Sequence, residues 1–148
     1  MATKDMFSKE RVNFNLKAST KDEVLEELIQ ILINDGKIID KDEFKKAVLK
    51  REEEFSTGIG MGIAIPHGKS SAVKEASIVF GRSSKGIDYQ SMDDEPAHLF
   101  FLIAVPEQSS DLHLRALSEI SRKLMHADIR EKISKADTFE DFIKVFEE

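Results

Sequence analysis

The chain has 148 residues, a length typical of one domain, and folding would bury about 70% of its unfolded surface, so a hydrophobic core can form without disulfides. Hydrophobic residues make up 41% and charged residues 34%, which is typical of a globular protein. A net charge of −6 disfavours nucleic acids and anionic membranes as ligands and favours a basic partner protein. The absence of cysteine excludes disulfides, thiolate catalysis and zinc–cysteine sites.

Hydropathy along the chain indicates neither a secretory leader nor a membrane span. Residues 1–11 contain no apolar segment, and the longest apolar run, Leu99–Val105, is too short to cross a bilayer. No repeat or Pro/Gly-rich linker divides the sequence. We therefore expect a cytoplasmic protein in which residues 1–148 form a single domain.

The first elements are a strand and a helix. Apolar and polar residues alternate over Val12–Leu16, which predicts a short strand. Thr20 and Glu23 have the spacing of a capping box, in which each side chain accepts a hydrogen bond from a backbone amide at the start of a helix. Gly36 is expected to end this helix, whose apolar face carries Val24, Leu28, Ile31 and Leu32.

A second helix is predicted from Asp40 to about Glu54, followed by a glycine-rich segment. Its apolar face carries Phe44, Ala47, Val48 and Phe55. The segment over residues 58–62 is interpreted as a loop, Ile63–Ile65 as a brief strand and residues 66–68 as a turn.

The second half of the chain predicts two further strands. Ala76–Gly81 is interpreted as one of them, and Lys85–Ala97 as a turn-rich segment with an edge strand considered around Tyr89. Leu99–Val105 is continuously apolar and is followed by Pro106, which predicts a buried central strand.

Three helices are predicted to follow. The first begins near Ser110 or Asp111, and the others cover Asp128–Lys135 and Thr138–Phe146. The first of them carries Leu114, Leu117, Ile120, Ser121 and Leu124. The alternation of strands and helices predicts an α/β sandwich.

One apparent phosphate-binding motif is rejected. Gly68-Lys69-Ser70 resembles the end of a P-loop, but that motif requires four residues between its two glycines. Five residues separate Gly62 from Gly68, and a proline and a histidine lie in the loop. A nucleotide-binding P-loop is therefore disfavoured.

Two of the four histidines are candidates for chemistry. His67 lies at the predicted carboxyl end of a strand, where open α/β sheets bind ligands, although a solvated turn histidine is the alternative. His113 lies in the first turn of a predicted helix and shares a face with Leu117, Ile120 and Leu124, so it is expected to point toward the sheet. A neutral histidine there could donate a hydrogen bond to an anion, and a buried structural histidine is equally compatible with the pattern.

The other two histidines are given structural interpretations. His98 directly precedes the predicted central strand and is expected to be a hydrogen-bonded strand residue. His126 lies near the C-terminus of a predicted helix, where a cation complements the helix dipole, and is interpreted as a cap.

Arg51 falls on the apolar face of the second helix, where a guanidinium needs a partner. Two interpretations of Arg51 are possible: a buried ion pair, or a fork that clamps a phosphate or carboxylate.

The alternating Gly58, Gly60 and Gly62 are compatible with an anion-binding nest or with a bulge beside a strand. The acidic runs Glu52–Glu54 and Asp93–Glu95 are expected to be solvated, because neither has the spacing of a metal-binding loop.

Two histidines, an arginine and a glycine-rich segment together suggest phosphoryl chemistry, and a longer motif adds a family resemblance. The stretch from Arg51-Glu52 through Ser56–Gly68 resembles the phosphorylation-site motif of the enzyme IIA component of the bacterial phosphotransferase system, fructose/mannitol type. The resemblance covers essentially the chain from Met6 onward, including Phe80–Ser83, Gly86–Tyr89, Pro96–Leu99 and His113–Ser118. Met61 departs from it, since relatives often carry a small or polar residue there.

The resemblance implies a fold and a set of site residues. It implies a single mixed β-sheet flanked by helices on both faces, a three-layer sandwich. His67 is implied to be the phosphorylated residue, His113 the second active-site histidine and Arg51 the active-site arginine.

The resemblance also implies the partners. Phospho-HPr would donate its phosphoryl group to neutral His67, which would pass the group to a cysteine of an enzyme IIB partner, with no metal or bound cofactor required. Arg51 and His113 would stabilise the transferred group. Fructose is the expected sugar and mannitol the next. The alternative is a nitrogen-type regulatory protein, which shares the phosphohistidine but binds target proteins according to its phosphorylation state.

Overall fold

The computed structural model describes residues 2–147, in which a β-sheet is flanked by helices. Two short 3₁₀ turns, Thr3–Met6 and Lys9–Arg11, precede the sheet. The helices are α1 (Lys21–Asn34), α2 (Lys41–Glu54), α3 (Leu112–Leu124), α4 (Ala127–Lys135) and α5 (Phe139–Glu147). The strands are β1 (Val12–Asn13), β2 (Gly58–Gly60), β3 (Ile63–Ala64), β4 (His67–Ser70), β5 (Ser77–Ile87) and β6 (Ala97–Pro106).

Strand β6 is the centre of the mixed sheet, as its continuous apolar run predicts. The strands are ordered β1-β5-β6-β3-β2, and β4 also pairs with β6. Strand β6 runs antiparallel to β5 and parallel to both β3 and β4. Because both faces of β6 are covered, every residue of Leu99–Val105 is buried.

Alternate residues of β6 supply the two hydrophobic cores. Phe101 and Ile103 pack in the cluster that contains the apolar faces of α3, α4 and α5. Phe100 and Leu102 pack in the cluster that contains those of α1 and α2. The chain is therefore a three-layer sandwich with one mixed sheet, which confirms the predicted fold class.

The predicted starts of α1 and α2 are confirmed. The Thr20 hydroxyl accepts a hydrogen bond from the Glu23 amide at 3.2 Å, and the Asp40 carboxylate accepts one from the Glu43 amide at 3.1 Å. The Glu23 carboxylate accepts a hydrogen bond from the Ser19 amide at 2.8 Å rather than from Thr20. The capping box is thus formed with its return contact shifted by one residue.

Several predicted strand boundaries are wrong. Strand β1 ends at Asn13 instead of continuing to Leu16, because the Asn13 side chain accepts the Asn15 amide in a local turn. Strand β5 continues beyond Gly81 to Ile87, which removes the first part of the predicted turn-rich segment. Tyr89 forms no edge strand, and its side chain is fully buried.

Phe55, which was predicted to lie on the apolar face of α2, is exposed, and so is Leu114 of α3. Phe55 is the C-cap of α2 with extended backbone angles, so helical periodicity no longer applies to it, and it is 78% exposed. Leu114 is 55% exposed because the buried face of α3 is centred on Ala116, Ile120 and Leu124. No helix within residues 2–147 is long and apolar enough to cross a membrane.

Candidate functional site

A surface pocket brings together the three predicted site residues. The pocket has a volume of about 330 Å³ and lies where α2, β4 and the start of α3 meet. Arg51, His67 and His113 line it together with Lys50, Glu54 and Lys69. Residues far apart in sequence thus converge on one concave surface at the predicted histidine.

His67 begins β4 with its imidazole held in one orientation. The predicted turn over residues 66–68 is wrong, because only the Ile65–Pro66 step interrupts the sheet between β3 and β4. Pro66 has no N–H to donate, yet its carbonyl accepts the Ile103 amide at 3.0 Å, and pairing with β6 resumes at His67. His67 is only 8% exposed, so the solvated turn histidine is also ruled out.

The hydrogen bond of the His67 ring defines its tautomer. Nδ1 lies 2.9 Å from the Ile65 carbonyl oxygen. A carbonyl oxygen only accepts hydrogen bonds, so Nδ1 must carry the proton, and in the neutral ring Nε2 retains its lone pair. Burial is the main cause that lowers the pKa of His67, and Arg51 lowers this pKa further; the hydrogen bond to the Ile65 carbonyl and the charges of Glu52 and Glu54 oppose the shift. The ring is therefore biased toward the neutral, nucleophilic form.

His113 faces His67 from the first turn of α3. The two ring centroids are 6.3 Å apart, with an interplanar angle of 33°. His113 is half-buried, and its Nδ1 is buried without a hydrogen-bond partner among residues 2–147. Burial lowers the pKa of His113, and His67 and Lys69 lower it further against the opposing effect of Asp111. A buried polar atom without a partner is rare in proteins and is compatible with a ligand-binding group.

Arg51 reaches the pocket because α2 packs directly on β4. A Cβ atom added to Gly68 would lie 3.0 Å from side-chain atoms of both Phe44 and Val48, so a larger residue there would force these side chains to shift by a few tenths of an ångström. Arg51 forms no ion pair with residues 2–147, and the buried ion pair considered above is therefore wrong. Its hydrogen bond runs from Nη1 to the Phe55 carbonyl at 2.8 Å, which leaves the rest of the guanidinium available to an anion.

The glycine-rich segment forms a tight hairpin instead of a nest in the pocket. Strands β2 and β3 pair antiparallel with an irregular register between Gly58 and Gly60, so the bulge interpretation is confirmed. Met61 and Gly62 both have positive φ at the turn. The Met61 amide donates to the Asp93 carboxylate at 3.0 Å, so an acidic side chain already occupies this amide.

The two remaining histidines lie outside the pocket. Nδ1 of His98 lies 2.8 Å from the Ser83 carbonyl oxygen, which confirms a hydrogen-bonded strand residue. His126 follows α3, where its backbone amide donates to the Lys123 carbonyl, but it is also the N-cap of α4 and its side chain makes no capping hydrogen bond. No group of three or more His, Asp or Glu side chains in the described part of the chain could hold a metal ion.

Comparison with known proteins identifies the family. The sequence matches the phosphoenolpyruvate-dependent sugar phosphotransferase system EIIA 2 family over residues 5–148. The chain belongs to this EIIA family. The resemblance carried by the motif around His67 is thereby confirmed at the level of the family.

The relatives of this EIIA chain include transporter components and a regulator. It is 40% identical over 145 residues to the fructose-specific EIIABC component of Bacillus subtilis, covering 98% of this chain and 23% of that longer protein. It is 42% identical over 129 residues to the fructose-specific EIIA component of Haloferax volcanii, covering 87% and 84%. The structure of the nitrogen regulatory protein IIA-Ntr of Neisseria meningitidis superposes with a TM-score of 0.88 at 26% identity, covering 96% and 97%.

Two charged residues of this EIIA chain were missed in the sequence. Lys69 lines the pocket, and its ammonium donates to the Ser110 carbonyl at 3.1 Å. Its position two residues after His67 on one strand is the signal, since alternate strand residues share a face. Glu52 was expected to be solvated, but its side chain is 6% exposed. Its spacing of four from Val48 places it on the buried face of α2.

Proposed function

We propose that this EIIA chain accepts a phosphoryl group from phospho-HPr on Nε2 of His67 and passes it to a cysteine of an enzyme IIB partner. The observation that carries the proposal is the hydrogen bond between Nδ1 of His67 and the Ile65 carbonyl, which leaves Nε2 as the nucleophile. Residues 1–148 act as one EIIA domain in this proposal, and the exchange takes place in the cytoplasm.

The transfer is a pair of in-line displacements at phosphorus. The Nε2 lone pair attacks the phosphorus of the phosphohistidine on HPr, and the donor ring leaves with the electron pair of the broken N–P bond. Phospho-His67 then has a proton on Nδ1 and the phosphoryl group on Nε2, so its ring is cationic and is a good leaving group. A thiolate of the IIB partner attacks the phosphorus, and His67 returns to its neutral Nδ1–H form.

Arg51 and His113 stabilise the transferred group in this proposal. The equatorial oxygens of the phosphoryl group carry most of the negative charge in the transition state, so nearby donors lower the barrier. The unoccupied donors of Arg51 and the buried Nδ1 of His113 without a partner support these roles. The phosphoryl group would supply acceptors for the remaining N–H groups of Arg51 and a partner for Nδ1 of His113, which has none among residues 2–147.

The sugar is assigned from the relatives. Two fructose-specific components at 40% and 42% identity support fructose, or a related sugar, as the cargo of the transport system. The Bacillus subtilis relative is named as an EIIABC component, which supports an enzyme IIB as the acceptor.

A regulatory role is the second candidate, because the superposition with the nitrogen regulatory protein reaches a TM-score of 0.88. In that role the phosphorylation state would control binding to target proteins. A competition between donors separates the two functions. Rapid phosphorylation by phospho-HPr, followed by loss of the phosphoryl group to a fructose-type IIB protein, is expected for sugar transport. Phosphorylation by a nitrogen-type carrier alone, with no transfer to the IIB protein, would support the regulator instead.

A further inference from the structure

The buried carboxylate of Glu52 is not part of the pocket lining, although its neighbour Arg51 is. Glu52 follows Arg51 on the last turn of α2, and its side chain is 6% exposed. One carboxylate oxygen, Oε1, accepts the Thr57 amide at 3.1 Å and lies 3.0 Å from the Lys21 ammonium. The other carboxylate oxygen, Oε2, accepts hydrogen bonds from the Thr57 hydroxyl and from the Tyr89 hydroxyl, the latter at 3.0 Å. Four donors thus converge on one carboxylate, which compensates for its burial.

The partners of Glu52 are themselves held firmly. Tyr89 is fully buried, and burial together with the adjacent Glu52 raises the pKa of its phenol well above the usual value, so its hydroxyl stays protonated as a donor. The Lys21 ammonium lies 4.5 Å from the centre of the Tyr89 ring. The network therefore joins α1, α2 and the segment that contains Tyr89.

A continuous series of hydrogen bonds leads from this network to the reactive ring. Glu52 fixes Thr57 through both its amide and its hydroxyl. The Thr57 carbonyl then accepts the Ile65 amide at 2.9 Å. The Ile65 carbonyl, at the other end of the same residue, accepts Nδ1–H of His67 at 2.9 Å. The position of the acceptor that selects the His67 tautomer therefore depends on where Thr57 is held.

We propose that Glu52 is a positioning residue that holds the Thr57 and Ile65 backbone so that His67 is kept in its Nδ1–H tautomer with Nε2 free. This assignment rests on the proposed function only for its consequence in phosphoryl transfer, because the tautomer is a property of the unphosphorylated protein. Glu52 acts through Thr57 and Ile65 and does not touch the phosphoryl group.

The substitution Glu52→Gln tests the carboxylate while preserving its shape. The single amide oxygen can serve the Thr57 amide, but the NH₂ group then faces two hydroxyl groups that previously donated, and Lys21 loses its counter-charge. Glu53→Gln is the matched control, because Glu53 is the next residue on the same helix, is exposed and lies outside the pocket.

Two measurements separate positioning from stability. The ¹⁵N chemical shifts of the His67 ring report its tautomer in the folded, unphosphorylated protein. Single-turnover phosphorylation by phospho-HPr, expressed per folded molecule, reports the consequence. For Glu52→Gln we expect a mixed tautomer population and a rate about 10- to 100-fold lower, since small displacements of reacting groups have effects of that size. Glu53→Gln is expected to match the wild type in both.

A wild-type tautomer and rate in folded Glu52→Gln protein would overturn the proposal. If the His67 tautomer population changes in Glu52→Gln but the wild-type protein accepts no phosphoryl group from phospho-HPr, the positioning role of Glu52 is supported and the proposed function fails. Should Glu52→Gln not fold, Thr57→Val and Thr57→Ser form a second matched pair. The valine variant, which lacks the hydroxyl, is expected to show the mixed tautomer and the serine variant the wild-type one; wild-type tautomers in both would equally overturn the proposal.

Discussion

Replacing Arg51 with methionine should slow phosphoryl transfer strongly while leaving the protein folded. Methionine retains an unbranched apolar side chain in place of the aliphatic part of Arg51 and removes only the guanidinium. Within residues 2–147, the wild-type side chain contributes one hydrogen bond, to the Phe55 carbonyl at 2.8 Å, and no ion pair. The structure therefore predicts a large effect on the reaction and a small one on stability.

The two magnitudes follow from these contacts. Loss of one group that stabilises transition-state charge costs about 2.7–4 kcal/mol, and the half-buried position of Arg51 places it at the low end, a rate reduction of about 100-fold. Loss of one hydrogen bond at a partly solvated position lowers the free energy of unfolding by about 1 kcal/mol. Since Arg51 also lowers the pKa of His67, the variant should raise that pKa.

The assay is single-turnover phosphorylation by phospho-HPr, combined with denaturant unfolding of the same samples. Arg51→Lys retains the charge without the planar fork and should be intermediate in rate. Lys46→Met removes an exposed cation from the same helix outside the pocket and should leave the rate unchanged. If Arg51→Met transfers at the wild-type rate per folded molecule but loses several kcal/mol of stability, Arg51 is a structural residue and the reasoning is refuted.

Three further predictions concern pH, packing and the N-terminal segment. An NMR titration of the His67 ring should give a midpoint below the usual histidine pKa of about 6.5, because burial lowers the pKa of this ring. Below the midpoint Nε2 is protonated and cannot attack phosphorus. A midpoint above about 6.5 would contradict the effect of burial. Gly68→Ala should lower unfolding free energy by about 1–3 kcal/mol and slow transfer, because its Cβ would lie 3.0 Å from Val48; wild-type stability and rate would show that α2 moves freely. Arg11→Met should cost about 3 kcal/mol in unfolding free energy by leaving Asp35 without its partner at 2.6 Å, and an unchanged denaturation midpoint would refute that estimate.

Locally determined features of the fold were predictable from the sequence. The starts of α1 and α2 depend on Thr20 and Asp40, each of which caps an amide three residues on. The apolar run of β6 identified the central strand because a strand covered on both faces has no polar side. Features that depend on distant residues were not predictable, and Pro66-His67-Gly68 is an example. Gly68 is explained by the close approach of α2 rather than by a turn.

The site was predictable to a similar extent. His67 could be singled out because it was placed at the carboxyl end of a predicted strand, and His113 because it lies in the first turn of a predicted helix. The structure places the centroids of the two rings 6.3 Å apart. Only its spacing of four from Val48 separates Glu52 from its two acidic neighbours, and its partners Lys21 and Tyr89, which are distant in sequence, could not be predicted. The same holds for the tautomer of His67, which is defined by a backbone carbonyl.

The central claim is that His67 carries the phosphoryl group, and the intact mass of the protein tests it most directly. Three proteins are each incubated with phosphoenolpyruvate, enzyme I and HPr: the wild type, His67→Ala and the control His126→Ala. His126 is a suitable control because it is exposed and lies outside the pocket. We expect one acid-labile phosphoryl group on the wild type and on His126→Ala, and none on His67→Ala. Phosphoryl uptake by His67→Ala at the wild-type level would place the nucleophile elsewhere and contradict the account.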